Sequence, residues 1–194
     1  MSAGLKARRY EGPGEGRKHM EFRRKNIRLP RSDYLGHQWY FLTACTENRA
    51  PFLQYAPLVF EHLDLLGEEA NEQCVAIQAY CFMPDHLHLL VSGERENSDC
   101  LAFIYGFKQR SAFKFKQATG QRLWQHKPYD HILRRNERWE AVAYYIWMNP
   151  VRAGLCARAE DWPHSGSFTM DWKRFLTPPE ELWVPPWKAV APGL

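Results

Sequence analysis

A chain of 194 residues, 45% hydrophobic and 14% aromatic, is long enough for one domain with extensions and supplies ample material for a core. It has no apolar run near the ~18–20 residues of a membrane span, and its basic N-terminus lacks the apolar centre of a signal peptide, which points away from the membrane and secreted classes. The formal charge of +4 is unevenly spread: residues 1–36 hold ten Lys/Arg against four Asp/Glu, and residues 107–135 hold eight against Asp130 alone.

These two basic regions point to a polyanion partner, nucleic acid first. A solvated tail and an ordinary charged helix give the same counts. The five cysteines, Cys45, Cys74, Cys81, Cys100 and Cys156, are odd in number and form no CxxC pair. They read as reduced thiols of a cytoplasmic protein.

Residues 1–36, with Gly12, Gly14, Gly16 and the run Arg23-Arg24-Lys25, show no periodicity and read as a basic arm that orders on binding. Trp39 to Thr46 is aromatic and β-branched, the mark of a first strand. Pro57 opens a helix in which Leu58, Val59, His62, Leu65 and Leu66 recur at helical spacing through about Asn71. Val75–Phe82 and His86–Ser92 are strands joined by the Pro84-Asp85 turn. Ser98 is read as the N-cap of a long helix ending near Gly120. Its apolar stripe gives way to Lys108, Arg110, Lys114 and Lys116 interleaved with Phe113 and Phe115, a mix suited to phosphates and bases.

Tyr129–Leu133 reads as a fourth strand, followed by a helix from Glu137 to about Met148 that Asn149-Pro150 stops. This order gives an α+β fold with a ferredoxin-like βαββαβ core over residues 37–155, an antiparallel sheet and two helices on one face. Residues 156–194 read as an irregular tail whose aromatic residues dock on the core. If that tail covers a site, deleting residues after about Phe168 raises activity.

The chemistry gathers around Tyr80-Cys81-Phe82-Met83-Pro84-Asp85-His86-Leu87-His88-Leu89-Leu90-Val91. On a strand, His86 and His88 share a face and make half of a divalent metal site. A pair of histidines on a half-exposed sheet face has the same spacing. Four residues apart on the last helix, Tyr145 and Asn149 also share a face. Asn149 offers a carbonyl oxygen to a hard cation and Tyr145 a phenolic oxygen as nucleophile. Tyr144 and Tyr145 as packing residues and Asn149 as a helix cap fit that spacing equally.

The run Ala79 to Val91 resembles the His-hydrophobic-His signature of the single-tyrosine HUH transposases. The run Tyr144-Tyr145-Ile146-Trp147-Met148-Asn149-Pro150-Val151-Arg152-Ala153-Gly154-Leu155 resembles the tyrosine helix of their REP-associated branch. Thr43–Phe52, Leu123-Trp124-Gln125 and Asp161-Trp162-Pro163-His164-Ser165 are similar too, so the resemblance spans roughly residues 38–168. Asp85 departs from the asparagine frequent in that family.

The resemblance implies that His86, His88 and Asn149 ligate Mg²⁺ or Mn²⁺ and that Tyr145 attacks single-stranded DNA to leave a 5′-phosphotyrosine. It implies recognition of REP-type DNA hairpins, with Arg23, Arg24, Lys25, Lys108, Arg110, Lys114, Arg134 and Arg152 as the expected nucleic-acid contacts. It also implies a monomer, in preference to a homodimer, whose tyrosine acts in cis. Two other classes fit less of the chain. One is a domesticated hairpin-DNA binder without turnover. The other is a small-substrate metallohydrolase, for which no HExxH or carboxylate cluster is present.

Overall fold

The computed structural model describes residues 34–186 and residue 188. Most of the basic arm, with Arg23, Arg24 and Lys25, lies outside the described residues. The elements run β1 (Trp39–Cys45), α1 (Ala56–Gln73), β2 (Val75–Met83), β3 (His86–Gly93), α2 (Cys100–Thr119), β4 (Tyr129–Ile132), α3 (Trp139–Trp147), α4 (Asn149–Arg152) and β5 (Ser165–Gly166). The sheet is antiparallel in the order β4-β1-β3-β2-β5, so the expected βαββαβ core is present with β3 at its centre. Among the described residues no helix is long and apolar enough to cross a membrane.

Alternation along the strands divides the molecule into two cores. Tyr40, Leu42 and Ala44 of β1 and Leu87, Leu89 and Val91 of β3 face one side, where they pack with Leu65 and Leu66 of α1 and Phe103, Ile104 and Phe107 of α2. Phe41 of β1, Ala79, Cys81 and Met83 of β2 and Leu90 of β3 face the other side, against Val142, Ile146 and Trp147 of α3. Both faces of the central strand are therefore covered. This explains why β3 reads as a nearly continuous apolar run after its histidines.

Two boundaries differ from the sequence reading, each for a local reason. Asp99, not Ser98, caps α2: its carboxylate accepts from the Leu101 and Ala102 amides at 3.0 and 2.8 Å. Ser98 is buried and donates to the Cys74 carbonyl at 2.6 Å, tying the β3–α2 loop to the end of α1. Asn149-Pro150 kinks the chain at Met148 but does not end its helical course, because proline is tolerated in the first turn of the new helix α4.

The tail supplies β5, a two-residue strand that pairs with Tyr80 and Cys81 at the open edge of β2. Trp147, fully buried in α3, donates its indole N–H to the Gly166 carbonyl at 3.0 Å and fixes that strand to the helix. All five cysteines are free thiols. Burial pushes Cys81 and Cys100 up to about 12, so both stay protonated and behave as packing groups.

One buried histidine sets a pH limit on the fold. His62 of α1 stands among Phe82, Phe107 and Trp124, its Nδ1 donating to the Leu58 carbonyl at 2.7 Å and its Nε2 without a protein partner. Burial lowers its pKa to about 4. The unfolded chain takes up a proton near pH 6.5 that the folded chain refuses until about pH 4. This part of the stability is full above pH 6.5 and is lost as the pH falls, by up to about 3 kcal/mol. Urea unfolding of His62→Leu between pH 7 and 4.5 is expected to show a correspondingly flatter acid limb than the native chain. Parallel limbs would mean that His62 does not couple to folding.

Candidate active site

Strand pairing places the two histidines. His86 stands opposite Cys45 of β1 and Met83 of β2, and His88 opposite Thr43 and Cys81. Both lie on the face that carries α3, with ring centroids 4.6 Å apart. His88 is buried and His86 half-buried. Each ring is held at Nδ1. Asp85 Oδ1 lies 2.6 Å from that atom of His86, and Thr43 Oγ1 lies 2.8 Å from that of His88. An ionised carboxylate only accepts hydrogen bonds, so His86 carries its proton on Nδ1 and its Nε2 bears the lone pair that metals take. The Thr43 hydroxyl can either donate to or accept from His88 Nδ1; in the tautomer in which Nδ1 donates, His88 presents the same bare nitrogen.

The electrostatics keep both rings neutral. Burial holds His86 below the usual histidine range despite the Asp85 carboxylate beside it. Burial lowers His88 well below the usual range, and any proton on His86 and the cations Arg152, Arg49 and Lys188 oppose its charging further. Burial pushes Asp85 up, but its bonds to His86 and to Arg49, the latter 3.3 Å away, outweigh it and keep the carboxylate ionised. Neutral imidazoles locked by their far nitrogens fit a divalent cation.

Among the described residues no three His, Cys, Asp or Glu side chains gather into a metal-sized group. The donor set is thus two nitrogens open to oxygen ligands, unlike a closed thiolate site. Asn149 heads α4, one turn beyond Tyr145, and its Nδ2 donates to the Tyr145 carbonyl at 3.4 Å. The amide oxygen, the atom a hard metal takes, is not used in that bond.

Tyr145 comes from α3. Its ring meets His88 with centroids 6.3 Å apart and Phe41 at 6.2 Å, both edge-on, and the residue is only 9% exposed. Arg152 reaches back from α4 to donate to the Tyr145 carbonyl at 2.7 Å, with its guanidinium 4.0 Å from the ring centroid. The structure therefore brings His86, His88, Tyr145 and Arg152 together on one face, with Asn149 at the adjoining helix start. Arg134 is exposed beside β4 on the loop leading to α3.

The basic positions of α2 lie elsewhere. Lys108 is buried and donates to the Gln125 and His126 carbonyls at 2.7 and 3.2 Å, pinning the loop before β4. Arg110 pairs with Glu68, Glu69 and Glu72, and Lys114 with Glu61 at 3.3 Å. These three cations bind α1 or a neighbouring loop and belong to the helical layer across the sheet from the histidines. Counting charge along the sequence missed this, because the acids that neutralise α2 come from another element.

Three partners at the site also escaped the sequence reading. Thr43 becomes visible only when β1 is paired with β3. Glu137 accepts from the Arg134 amide at 2.8 Å and from His131 Nε2 at 2.8 Å. Trp183, from the tail, lies against Phe41 at 5.0 Å and Tyr145 at 5.1 Å, and donates its indole N–H to Glu137 at 2.7 Å. The proline-rich tail thereby covers the tyrosine. An open cleft of about 520 Å³ remains beside it, edged by Arg152 and Lys188.

Residues 36–147 match the family model described as Transposase IS200 like. The chain belongs to the IS200-like transposase family. Members of this family are enzymes. A REP-associated tyrosine transposase of Escherichia coli K12 is 24% identical over 151 residues, 73% of this chain and 88% of that protein. A relative from Haemophilus influenzae Rd, provisionally given the same name, is 29% identical over 111 residues, 52% of this chain and 62% of its own length. A solved REP-associated tyrosine transposase bound to a REP hairpin shares the fold, with a TM-score of 0.58 at 24% identity over 74% of this chain and 84% of that one.

The covering of Tyr145 by the tail is directly measurable. Nitration by tetranitromethane, followed by peptide mass spectrometry, is expected to rise at Tyr145 in Trp183→Ala, with the 65%-exposed Tyr55 as internal standard. Unchanged nitration would show that Trp183 does not shield the ring.

Proposed function

We propose that this transposase is a metal-dependent single-stranded DNA endonuclease and strand transferase that acts on REP-type hairpins through Tyr145. The observation that carries this reading is the meeting of Tyr145 and His88, 6.3 Å apart between ring centroids, within one chain. Nucleophile and candidate metal ligands on the same polypeptide also support a monomer acting in cis. The E. coli and H. influenzae relatives and the hairpin-bound neighbour support the substrate class.

His86, His88 and Asn149 would hold Mg²⁺ or Mn²⁺, which when bound supplies charge to the scissile phosphate and orients it. The chain's own groups do the rest. The Tyr145 oxygen attacks phosphorus and the bond to the 3′ oxygen breaks; the upstream fragment leaves with a 3′-hydroxyl, and the downstream fragment stays joined to the tyrosine through its 5′-phosphate. The phenolic proton is lost as the 3′ oxygen gains one. No strong base stands beside the phenol among the described contacts, so rate comes from placement and electrostatics. Arg152, stacked on the nucleophile's ring, is positioned to offset phosphate charge there. Attack by a new 3′-hydroxyl on the phosphotyrosine reverses the step and transfers the strand.

The second reading, a cytoplasmic hairpin-DNA binder without turnover, is favoured by one observation: Trp183 lies on the nucleophile. Denaturing gels with single-stranded hairpin oligonucleotides separate the two readings. A covalent adduct is expected with Mg²⁺ or Mn²⁺. Chelator or His86→Ala with His88→Ala should remove it, and Tyr145→Phe should abolish it while native-gel binding of the hairpin persists. Tyr144→Phe should still form it. Tight binding without adduct in the native chain would favour the binder, and normal cleavage by Tyr145→Phe would exclude this nucleophile.

A further inference from the structure

Trp183 is held as a ligand is held. Its indole lies over Phe41 of β1, meets the Tyr145 ring at 78° and faces His131 of β4 at 6.2 Å. Its only polar atom is 2.7 Å from Glu137 Oε1. The residues on either side of it, Leu182 and Val184, are 66% and 56% exposed. One side chain therefore plugs an aromatic box while its two immediate neighbours are largely exposed and edge the cleft beside it.

The box itself is independent of the tail. Phe41 and His131 belong to paired strands β1 and β4, and Tyr145 to α3. Glu137 is held by the Arg134 amide on Oε2 and by His131 Nε2 across both oxygens, so its carboxylate stays in place without Trp183, and the acceptor position that Trp183 fills is on Oε1. Burial pushes the Glu137 pKa up, but its bonds to Trp183, the Arg134 amide and His131 hold it below the ordinary range, so it is ionised.

We propose that this box is a nucleobase subsite beside the nucleophile, and that it selects guanine. The inference rests on the single-strand cleavage reading and names a base that the site reads. A fused, flat, bicyclic ring with an N–H on its edge is the closest copy of a purine that a side chain offers. An aromatic floor stacks any base. A carboxylate discriminates among them, because it only accepts hydrogen bonds. Guanine presents two adjacent donors, N1–H and the 2-amino group. Adenine and cytosine present an amino group beside an acceptor nitrogen, and thymine one N–H flanked by two carbonyls. Arg152, whose guanidinium lies 4.0 Å from the Tyr145 ring centroid, flanks the position where the phosphate next to that base passes.

The test uses the full-length chain without added metal and fluorescein-labelled oligothymidylate 12-mers, either plain or with one central dG, dA or dC. Fluorescence anisotropy of Trp183→Ala is expected to rank the dG probe about tenfold or more above plain thymidylate and dC, with dA between. In Trp183→Ala combined with Glu137→Gln the ratio of dG to plain thymidylate should fall towards one. Phe41→Leu in the Trp183→Ala background should weaken all four probes together, and thermal unfolding checks that each variant is folded. Equal binding of the four probes by Trp183→Ala, or a dG preference that survives Glu137→Gln, overturns the proposal. Adduct assays on the native chain keep the two readings apart: adduct with no base preference in Trp183→Ala defeats the subsite alone, and base preference with no adduct in the native chain defeats the cleavage reading alone.

Discussion

The site depends on the register of β3 between β1 and β2. Pairing Cys45 with His86 and Thr43 with His88 turns both imidazoles to the α3 face and puts a hydroxyl within 2.8 Å of the buried ring. A slip of one residue would send both rings into the α1–α2 core and bring Leu87 and Leu89 to the site. The apolar residues of β3 that alternate with the histidines resist that slip, since Leu87, Leu89 and Val91 are almost fully buried against the helices. Packing on one face of the sheet thus sets the chemistry on the other.

The two faces divide their charges accordingly. On the helical face, the acids of α1 neutralise Arg110 and Lys114 of α2, and the pairs hold two helices together. On the opposite face burial keeps the histidines neutral, while Arg152 stands against the tyrosine ring without a carboxylate partner in its described hydrogen bonds. A phosphodiester entering this face meets cationic and polar groups, and the carboxylates nearest the site, Asp85 and Glu137, are each engaged with a histidine. Such a division suits a family that handles DNA strands, because self-paired charge contributes little to polyanion binding.

Much of this was legible in the sequence, and the limits are physical. A period of two predicts that His86 and His88 share a face, and a helical turn relates Tyr145 to Asn149, because both depend only on local geometry. The strand and helix order was enough for the ferredoxin-like core. The cap of α2 was misread because Asp99 competes with its neighbour Ser98 for it, and α4 was missed because proline permits a new helix as readily as it stops an old one. The strand β5, the Thr43 hydroxyl, the neutralised face of α2 and the Trp183 plug are tertiary facts. Each joins residues more than 35 positions apart, apart from nearer contacts that share the same network. The tail was expected to dock through aromatic residues, and Trp162, Trp172 and Trp183 do contact the core, but nothing local in a proline-rich run indicates which ring meets Tyr145.

The most direct test of the account is the chemical identity of the covalent link. Adduct formed on a single-stranded hairpin oligonucleotide with Mn²⁺ would be digested with nuclease and protease and the remaining peptide sequenced by mass spectrometry. The account predicts a nucleotide joined through its 5′-phosphate to Tyr145. A link at Tyr144 or another residue, attachment through a 3′-phosphate, or cut DNA with no covalent peptide would contradict it.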